Sequence, residues 1–248
     1  MHFFDSECSI GKLKIPQPGS FSTVPELVAE MKYYGIDDAL VYHSLAKEYN
    51  PTFGNQLLAE STRGVANLHG CWVLLPHFTG EMPPPSDVVK AMIENGIKAA
   101  RLFPGGSGQA FSLSSWSCGD LFVTLEEHRI PVFIDKDLIE WDQVVTLCKA
   151  YKKLPLVLSE VWYKDNRYLY PLFEQFPNLY ISLSRFIGHQ CLEDICQRYG
   201  AGHLLFGSKM PVFTPGPVLS MITYAEISEE EKADIAAGNL RRLLQEVV

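Results

Sequence analysis

The chain has 248 residues, of which 47% are hydrophobic and 20% charged, so it is long enough to bury a sizeable core. A formal net charge of −8, with Lys and Arg scattered along the sequence, argues against nucleic acid or an anionic membrane surface as a partner. The six cysteines form no Cys-x-x-Cys pair, which indicates reduced thiols. We expect a cytoplasmic protein without a signal peptide or a membrane-spanning segment.

Short runs that are apolar on both faces recur along the sequence, as is typical of strands covered on both sides. They predict eight strands, over residues 2–7, 38–44, 70–77, 96–103, 131–135, 155–161, 179–184 and 203–208. Amphipathic patterns predict helices over residues 23–35, 85–96, 117–129, 141–153, 192–200 and 227–244. We expect Thr23 and Ser86 to be N-caps, and Ser228 to open a capping box with Glu231.

The predicted strands start 24 to 36 residues apart, which is the length of one strand–helix unit. Eight such units predict an α/β protein, with one (β/α)₈ TIM barrel over residues 1–248 as a single domain. An open doubly wound sheet is the alternative, but the residues DSECSIG after the first strand are not a Gly-rich phosphate turn.

Polar and charged side chains lie where the predicted strands end, which in a barrel is the catalytic face. They are Asp5, Glu7, Ser9, His43, His77, Arg101, Asp135, Glu160, Arg185 and Lys209. A lysine at the mouth of a buried strand must contact an anion or lose its proton, so Lys209 predicts a carboxylate partner.

Four stretches resemble the amidohydrolase superfamily, in its branch of small metal-dependent hydrolases and decarboxylases. They are FDSECSIG (4–11), GIKAARLFP (96–104), LLFGSKMP (204–211) and EEEKADIAAGNLRRLL (229–244). The first is similar to the family's Asp-x-His-x-His-x-Gly in Asp5 and Gly11, and the third is similar to its Phe-Gly-Ser-Asp-x-Pro. The resemblance implies a TIM-barrel hydrolase in which histidines and the strand-eight aspartate hold one or two divalent metal ions.

The sequence departs from the family at those ligand positions, which here read Glu7, Ser9, Asp135, Glu160 and Lys209. We interpret this as a degenerate metal site in which the Lys209 ammonium takes the place of the metal ion among three carboxylates. On this interpretation no cofactor is expected. The alternative is a divalent Zn, Mn or Mg ion bound by Glu7, Asp135 and Glu160.

The function predicted from the resemblance is a hydrolase, or a decarboxylase or lactonase, of a small carboxylate-bearing metabolite, although enzymatic activity is not certain from sequence. The candidate catalytic residues are Asp135, Glu160 and Lys209, and the candidate substrate-binding residues are His43, His77, Arg101 and Arg185. Either arginine could clamp a carboxylate or neutralise the acidic cluster. Two alternatives stay open: an inactive relative that binds a metabolite or protein, and a metalloenzyme with rearranged ligands. The expected partner is a small molecule, and a homodimer is also left open.

Overall fold

The computed structural model describes residues 1–15, 17–106 and 108–248, in which parallel strands alternate with helices. The strands are β1 (Phe4–Ile10), β2 (Asp38–His43), β3 (Leu68–Gly70), β4 (Trp72–Val73), β5 (Ala100–Leu102), β6 (Val132–Asp135), β7 (Leu156–Ser159), β8 (Leu179–Ser182) and β9 (Leu204–Leu205). The helices are α1 (Val24–Tyr34), α2 (Ser44–Glu48), α3 (Pro51–Ser61), α4 (Pro85–Glu94), α5 (Ser115–Glu127), α6 (Trp141–Ala150), α7 (Asn166–Gln175), α8 (Cys191–Tyr199), α9 (Gly216–Tyr224), α10 (Glu229–Ala233) and α11 (Asn239–Gln245). Within these described residues, no helix combines the length and apolar character required to cross a membrane.

The strands form a TIM barrel from two parallel sheets, in the orders β1-β2-β3 and β4-β5-β6-β7-β8-β9. At one seam, β3 and β4 belong to a single stretch of chain that is interrupted only at Cys71. At the other seam, the Ser6 N–H donates to the Phe206 carbonyl and the Ser9 N–H donates to the Met210 carbonyl, each at 2.9 Å. These bonds join β1 to the chain that continues β9, so the parallel strands surround a common interior.

The eight predicted strands are confirmed in position, but the third is divided at Cys71. The division arises because the residues before Cys71 pair with β2, whereas the residues after it pair with β5. The capping boxes of Thr23 with Glu26 and of Ser228 with Glu231 are both present.

Three details of the predicted helices are wrong or incomplete. Ser86 is not an N-cap, because α4 already begins at Pro85 and has no side-chain cap. The last predicted helix is divided into α10 and α11 by a wider π-helical turn at Asp234–Gly238. Helices α2, α3, α7 and α9 were not predicted; α7 contains Pro171, a residue that normally argues against a helix interior.

The two ends of the barrel interior differ in polarity. At the end where the strands begin, apolar side chains from the strands pack against the C-terminal helix. This cluster contains Phe4, Leu40, Cys71, Ala99, Phe133, Val157 and Leu205 from the barrel wall, and Ala237, Leu240, Leu243 and Leu244 from the last helical segment. Helix α11 therefore closes the floor of the barrel, and the buried polar side chains lie toward the opposite end, where the strands finish.

Substitution of Leu240 by alanine tests whether α11 is an essential part of the core. Leu240 is 2% exposed in the floor cluster, so Leu240→Ala is expected to lower the free energy of unfolding by about 2–5 kcal/mol. Urea denaturation measures this loss. The control Val123→Ala, at a position 46% exposed on α5, should change stability by less than about 0.5 kcal/mol. Equal effects of the two substitutions would contradict a closing role for α11.

Candidate functional site

Three buried carboxylates lie at the mouth of the barrel, each on a different strand or strand end. Glu7 lies within β1, Asp135 is the last residue of β6, and Glu160 directly follows β7. Their exposed fractions are 1%, 6% and 3%, respectively. Because a carboxylate buried to this extent is stable only with a countercharge or several donors, the neighbours of these three groups define the site.

The guanidinium of Arg101 lies between two of the carboxylates. Its Nη2 atom is 3.1 Å from Glu7 Oε1 and also donates to Asp135 Oδ1. The rings of Tyr42 and Phe103 lie 5.1 and 5.4 Å from the guanidinium carbon, and the side chain is only 3% exposed. Of the two roles that the sequence leaves open for Arg101, this geometry matches neutralisation of the acidic cluster.

Lys47 is a second cation near Asp135 that the sequence analysis did not identify. Its Nζ atom is 3.9 Å from Asp135 Oδ2. Burial raises the pKa of Asp135, but the charges of Arg101, Lys209 and Lys47 prevail and hold it below its ordinary value. Lys47 was missed because it lies on α2, a helix that the sequence pattern did not predict.

Glu160 connects the two remaining cations of the site. Its Oε2 atom lies 2.5 Å from Arg185 Nη1, and its Oε1 atom contacts Lys209 Nζ. Glu160 and Lys209 both have φ of +60°, in the left-handed region that is uncommon for non-glycine residues and is often found at functional sites. The structure thus places the Lys209 ammonium in direct contact with Glu160, while Arg101 contacts Glu7 and Asp135.

The groups around Lys209 shift its pKa in opposite directions. Burial lowers the pKa of its ammonium group, whereas the negative charges of Glu7 and Asp135 raise it. Arg101 and Lys47 add to the lowering, and the net direction is downward.

Two serines complete the contacts of Glu7. The hydroxyl groups of Ser182 and Ser184 donate to Glu7 Oε2 at 2.9 and 2.8 Å. Ser182 ends β8, and Ser184 lies two residues further along, so both point toward the barrel interior. The sequence analysis missed them; their period-two spacing at the end of a predicted strand is the signal that could have identified them.

Asp5 connects β1 with the turn that carries Lys209. Its Oδ1 atom accepts hydrogen bonds from the backbone N–H groups of Glu7 at 3.0 Å and Ser208 at 2.9 Å. Burial raises the pKa of Asp5 to about 6, although these bonds oppose the shift. Asp5 therefore helps to fix the position of the chain immediately before Lys209.

The two candidate histidines lie apart from the ion pairs. His43 Nδ1 accepts a hydrogen bond of 3.2 Å from the Leu45 N–H at the start of α2, and burial lowers the pKa of this imidazole. His77 lies in a single helical turn after β4, with its ring 4.3 Å from that of Phe78. Within the described residues, neither imidazole is hydrogen-bonded to Glu7, Asp135 or Glu160.

A cavity of about 390 Å³ opens beside Arg185. Trp162, Tyr163, Phe213 and Val218 supply much of its apolar lining. The guanidinium carbon of Arg185 lies 4.0 Å from the centre of the nearest Trp162 ring and 5.5 Å from the ring of Phe213. We name this cavity the aromatic groove; it combines flat apolar walls with a cationic group.

The residues of the mouth do not form a metal-binding group. Among the residues that the structure describes, no three His, Cys, Asp or Glu side chains are arranged to hold a metal ion. Arg101 and Lys209 lie among the carboxylates of the alternative ligand set, Glu7, Asp135 and Glu160.

The fold and these strand-end residues place the chain in the class of TIM-barrel proteins with a polar site at the carboxyl ends of the strands. Residues 81–245, more than half of the chain, match the sequence profile of the amidohydrolase family. The chain belongs to this family, which confirms the resemblance found in its sequence motifs. No curated protein matches the sequence.

Solved structures of several decarboxylases share the fold. The 2,6-dihydroxybenzoate decarboxylase from Rhizobium has a TM-score of 0.77 at 13% sequence identity, with 98% of each chain covered. The 5-carboxyvanillate decarboxylase from Sphingomonas paucimobilis has a TM-score of 0.76 at 14% identity, covering 100% of this chain and 99% of that chain. A dihydroxybenzoic acid decarboxylase from a Polaromonas species, with bound manganese and the inhibitor 2-nitroresorcinol, has a TM-score of 0.69 at 13% identity, covering 98% and 97%. At these identities, the likeness shows the fold alone.

The raised pKa of Asp5 predicts how the Asp5→Asn substitution changes stability with pH. The unfolded Asp5 ionises near pH 4, whereas the folded one stays protonated up to about pH 6, so ionisation destabilises the folded protein as the pH rises between these values. Asparagine does not titrate. The stability of Asp5→Asn relative to the wild type should therefore increase from pH 4 to pH 7, by at most about 3 kcal/mol.

Urea denaturation across this pH range measures the difference. The control is Asp120→Asn, which removes an exposed carboxylate on α5 and so separates the effect of burial from that of replacing an aspartate. A flat difference for Asp5→Asn would show that the pKa of Asp5 is not raised.

Proposed function

We propose that the chain is an enzyme of hydrolase or decarboxylase type that acts on a small carboxylate-bearing molecule. The observation that carries this proposal is the pair of cations around Glu160, next to the aromatic groove. The side chains of Arg185 and Lys209 are 27% and 20% exposed, compared with 3% for Arg101. An incoming carboxylate can therefore reach both of them, whereas Arg101 is closed off; Lys47, at 35%, is also exposed but lies beside Asp135 rather than next to the aromatic groove.

The flat walls of the aromatic groove are evidence for a ligand with a planar body. Trp162, Tyr163 and Phe213 offer flat faces, and Arg185 lies over one of the Trp162 rings, where it can meet a carboxylate attached to a ring. The decarboxylases that share the fold are named for carboxylated aromatic substrates, which supports the same class of ligand.

The contact between Lys209 and Glu160 supports acid–base chemistry. When a carboxylate leaves as CO₂, its bonding electron pair stays on carbon, and that carbon takes up a proton. The Lys209 ammonium, whose pKa burial lowers, would donate this proton, and Glu160 would stabilise the ammonium when it forms again. In a hydrolysis, Glu160 would instead accept a proton from the attacking water, and Lys209 would stabilise the developing oxyanion.

The other candidate residues take supporting roles in this proposal. Asp135 faces Arg101 and Lys47, so it would fix the positions of these two cations in the mouth. His43, the last residue of β2, and His77, in the helical turn after β4, would contact the part of the ligand that extends away from Arg185.

A panel of small aromatic carboxylates, dicarboxylates and lactones tests the activity, with CO₂ release and ring opening measured separately. Lys209→Met should lower kcat by about 100-fold or more, since the proton donor is lost. Arg185→Met should mainly raise KM, by about tenfold or more. Arg198→Met, which removes a surface ion pair with Asp194, is the control and should leave both constants unchanged. A kcat retained by Lys209→Met would contradict the proposal.

A second candidate is a relative that binds a carboxylate without converting it. The observation that favours it is that each of the three acids already contacts a cation, which leaves no free base. Calorimetric titration with the same panel separates the two functions: binding that Arg185→Met weakens, without product from the wild type, would favour the second.

A further inference from the structure

The Polaromonas decarboxylase that shares the fold was solved with bound manganese, and the contacts of each carboxylate oxygen of this chain decide whether a divalent ion fits here. Glu7 Oε1 is 3.1 Å from the Arg101 guanidinium. Glu7 Oε2 accepts from the hydroxyl groups of Ser182 and Ser184. Both oxygens of this carboxylate therefore already have donors.

The oxygens of the other two carboxylates face cations of the chain. Asp135 Oδ1 accepts from Arg101, and its Oδ2 lies 3.9 Å from the Lys47 ammonium. Glu160 Oε1 contacts Lys209, and its Oε2 is 2.5 Å from Arg185. All six oxygens face a donor or a cation of the chain itself, so the residues present do not fit a divalent ion.

We propose that Arg101 and Lys209 together replace the divalent ion and make the site independent of metal. Each carries one positive charge, so the pair supplies the two charges that such an ion would bring. Arg101 neutralises Glu7 and Asp135, and Lys209 neutralises Glu160. Arg101 thus shares with Lys209 the role that the sequence interpretation assigned to the Lys209 ammonium.

The properties of Arg101 suit it to this replacement. A guanidinium is planar with several N–H donors, so it can bridge two carboxylates, and it does not lose its proton in a protein. Arg101 extends from β5 in the barrel wall and is confined by Tyr42 and Phe103. A cation fixed at this place repels any metal ion that approaches the same carboxylates.

Titration with Mn²⁺, followed by electron paramagnetic resonance and by thermal unfolding, tests the proposal. The wild type should bind no Mn²⁺ at the mouth, and neither Mn²⁺ nor EDTA should shift its Tm. Arg101→Ala leaves Glu7 and Asp135 without their countercharge and opens space between them. Its Tm should fall by about 10 °C, and added Mn²⁺ should bind once per chain and restore part of the loss.

Matched variants separate this effect from a general loss of an arginine. Arg198→Ala, which breaks an exposed ion pair, should keep the wild-type Tm and bind no Mn²⁺. Arg101→Lys, which keeps the positive charge but loses the planar guanidinium, should lower the Tm without Mn²⁺ binding.

Three results would overturn the proposal. They are stoichiometric metal in the purified wild type, a fall in its Tm with EDTA, and an Arg101→Ala protein that folds but binds no Mn²⁺. If Arg101→Ala does not fold, the two wild-type measurements decide. None of these measurements depends on turnover, so their failure leaves the proposed function intact, and the reverse also holds.

Discussion

The mouth of this barrel depends on the neutralisation of buried carboxylates. Glu7, Asp135 and Glu160 would each be strongly destabilising without a countercharge; Arg101 supplies one to both Glu7 and Asp135, and Lys209 supplies one to Glu160. Arg101 extends from the barrel wall, whereas Lys209 follows the last strand. Because the partners of each ion pair come from separate strands, these pairs also fix the strand ends relative to one another. The arrangement of charge and the arrangement of strands therefore support each other.

The two ends of the barrel differ in role: the floor contributes apolar packing, and the mouth carries the candidate site. At the floor, Leu240 and its apolar neighbours bury the C-terminal helix against the strand starts, and this packing sets the shape of the barrel. At the mouth, polar groups occupy positions where apolar side chains would pack better. Asp5 shows the cost of this arrangement, since burial raises its pKa to about 6, yet it holds the turn before Lys209 through the backbone of Ser208.

The sequence predicted the barrel well because buried parallel strands are apolar on both faces, a local pattern that does not depend on partners. It also predicted that the charged strand ends meet, since parallel strands finish on the same side. The pairing between those charges could not be predicted. Lys209 was expected at the centre, but which cation reaches Glu7 and Asp135 depends on the reach and direction of each side chain, and Arg101 fills that place. Lys47 was missed for a simpler reason: the helix that carries it lacks a recognisable pattern.

The charged residues at the mouth are physically reasonable only as a set. A lysine at position 209 beside a divalent ion would bring two cations together, and acids at positions 7, 135 and 160 without Arg101 and Lys209 would leave negative charge unneutralised inside the barrel. With all of them present, each carboxylate contacts a cation. Arg185 and Lys209, by contrast, share a single acid, Glu160. In the proposed function, an incoming carboxylate would compete with Glu160 for these two positive charges, because one acid does not balance two cations.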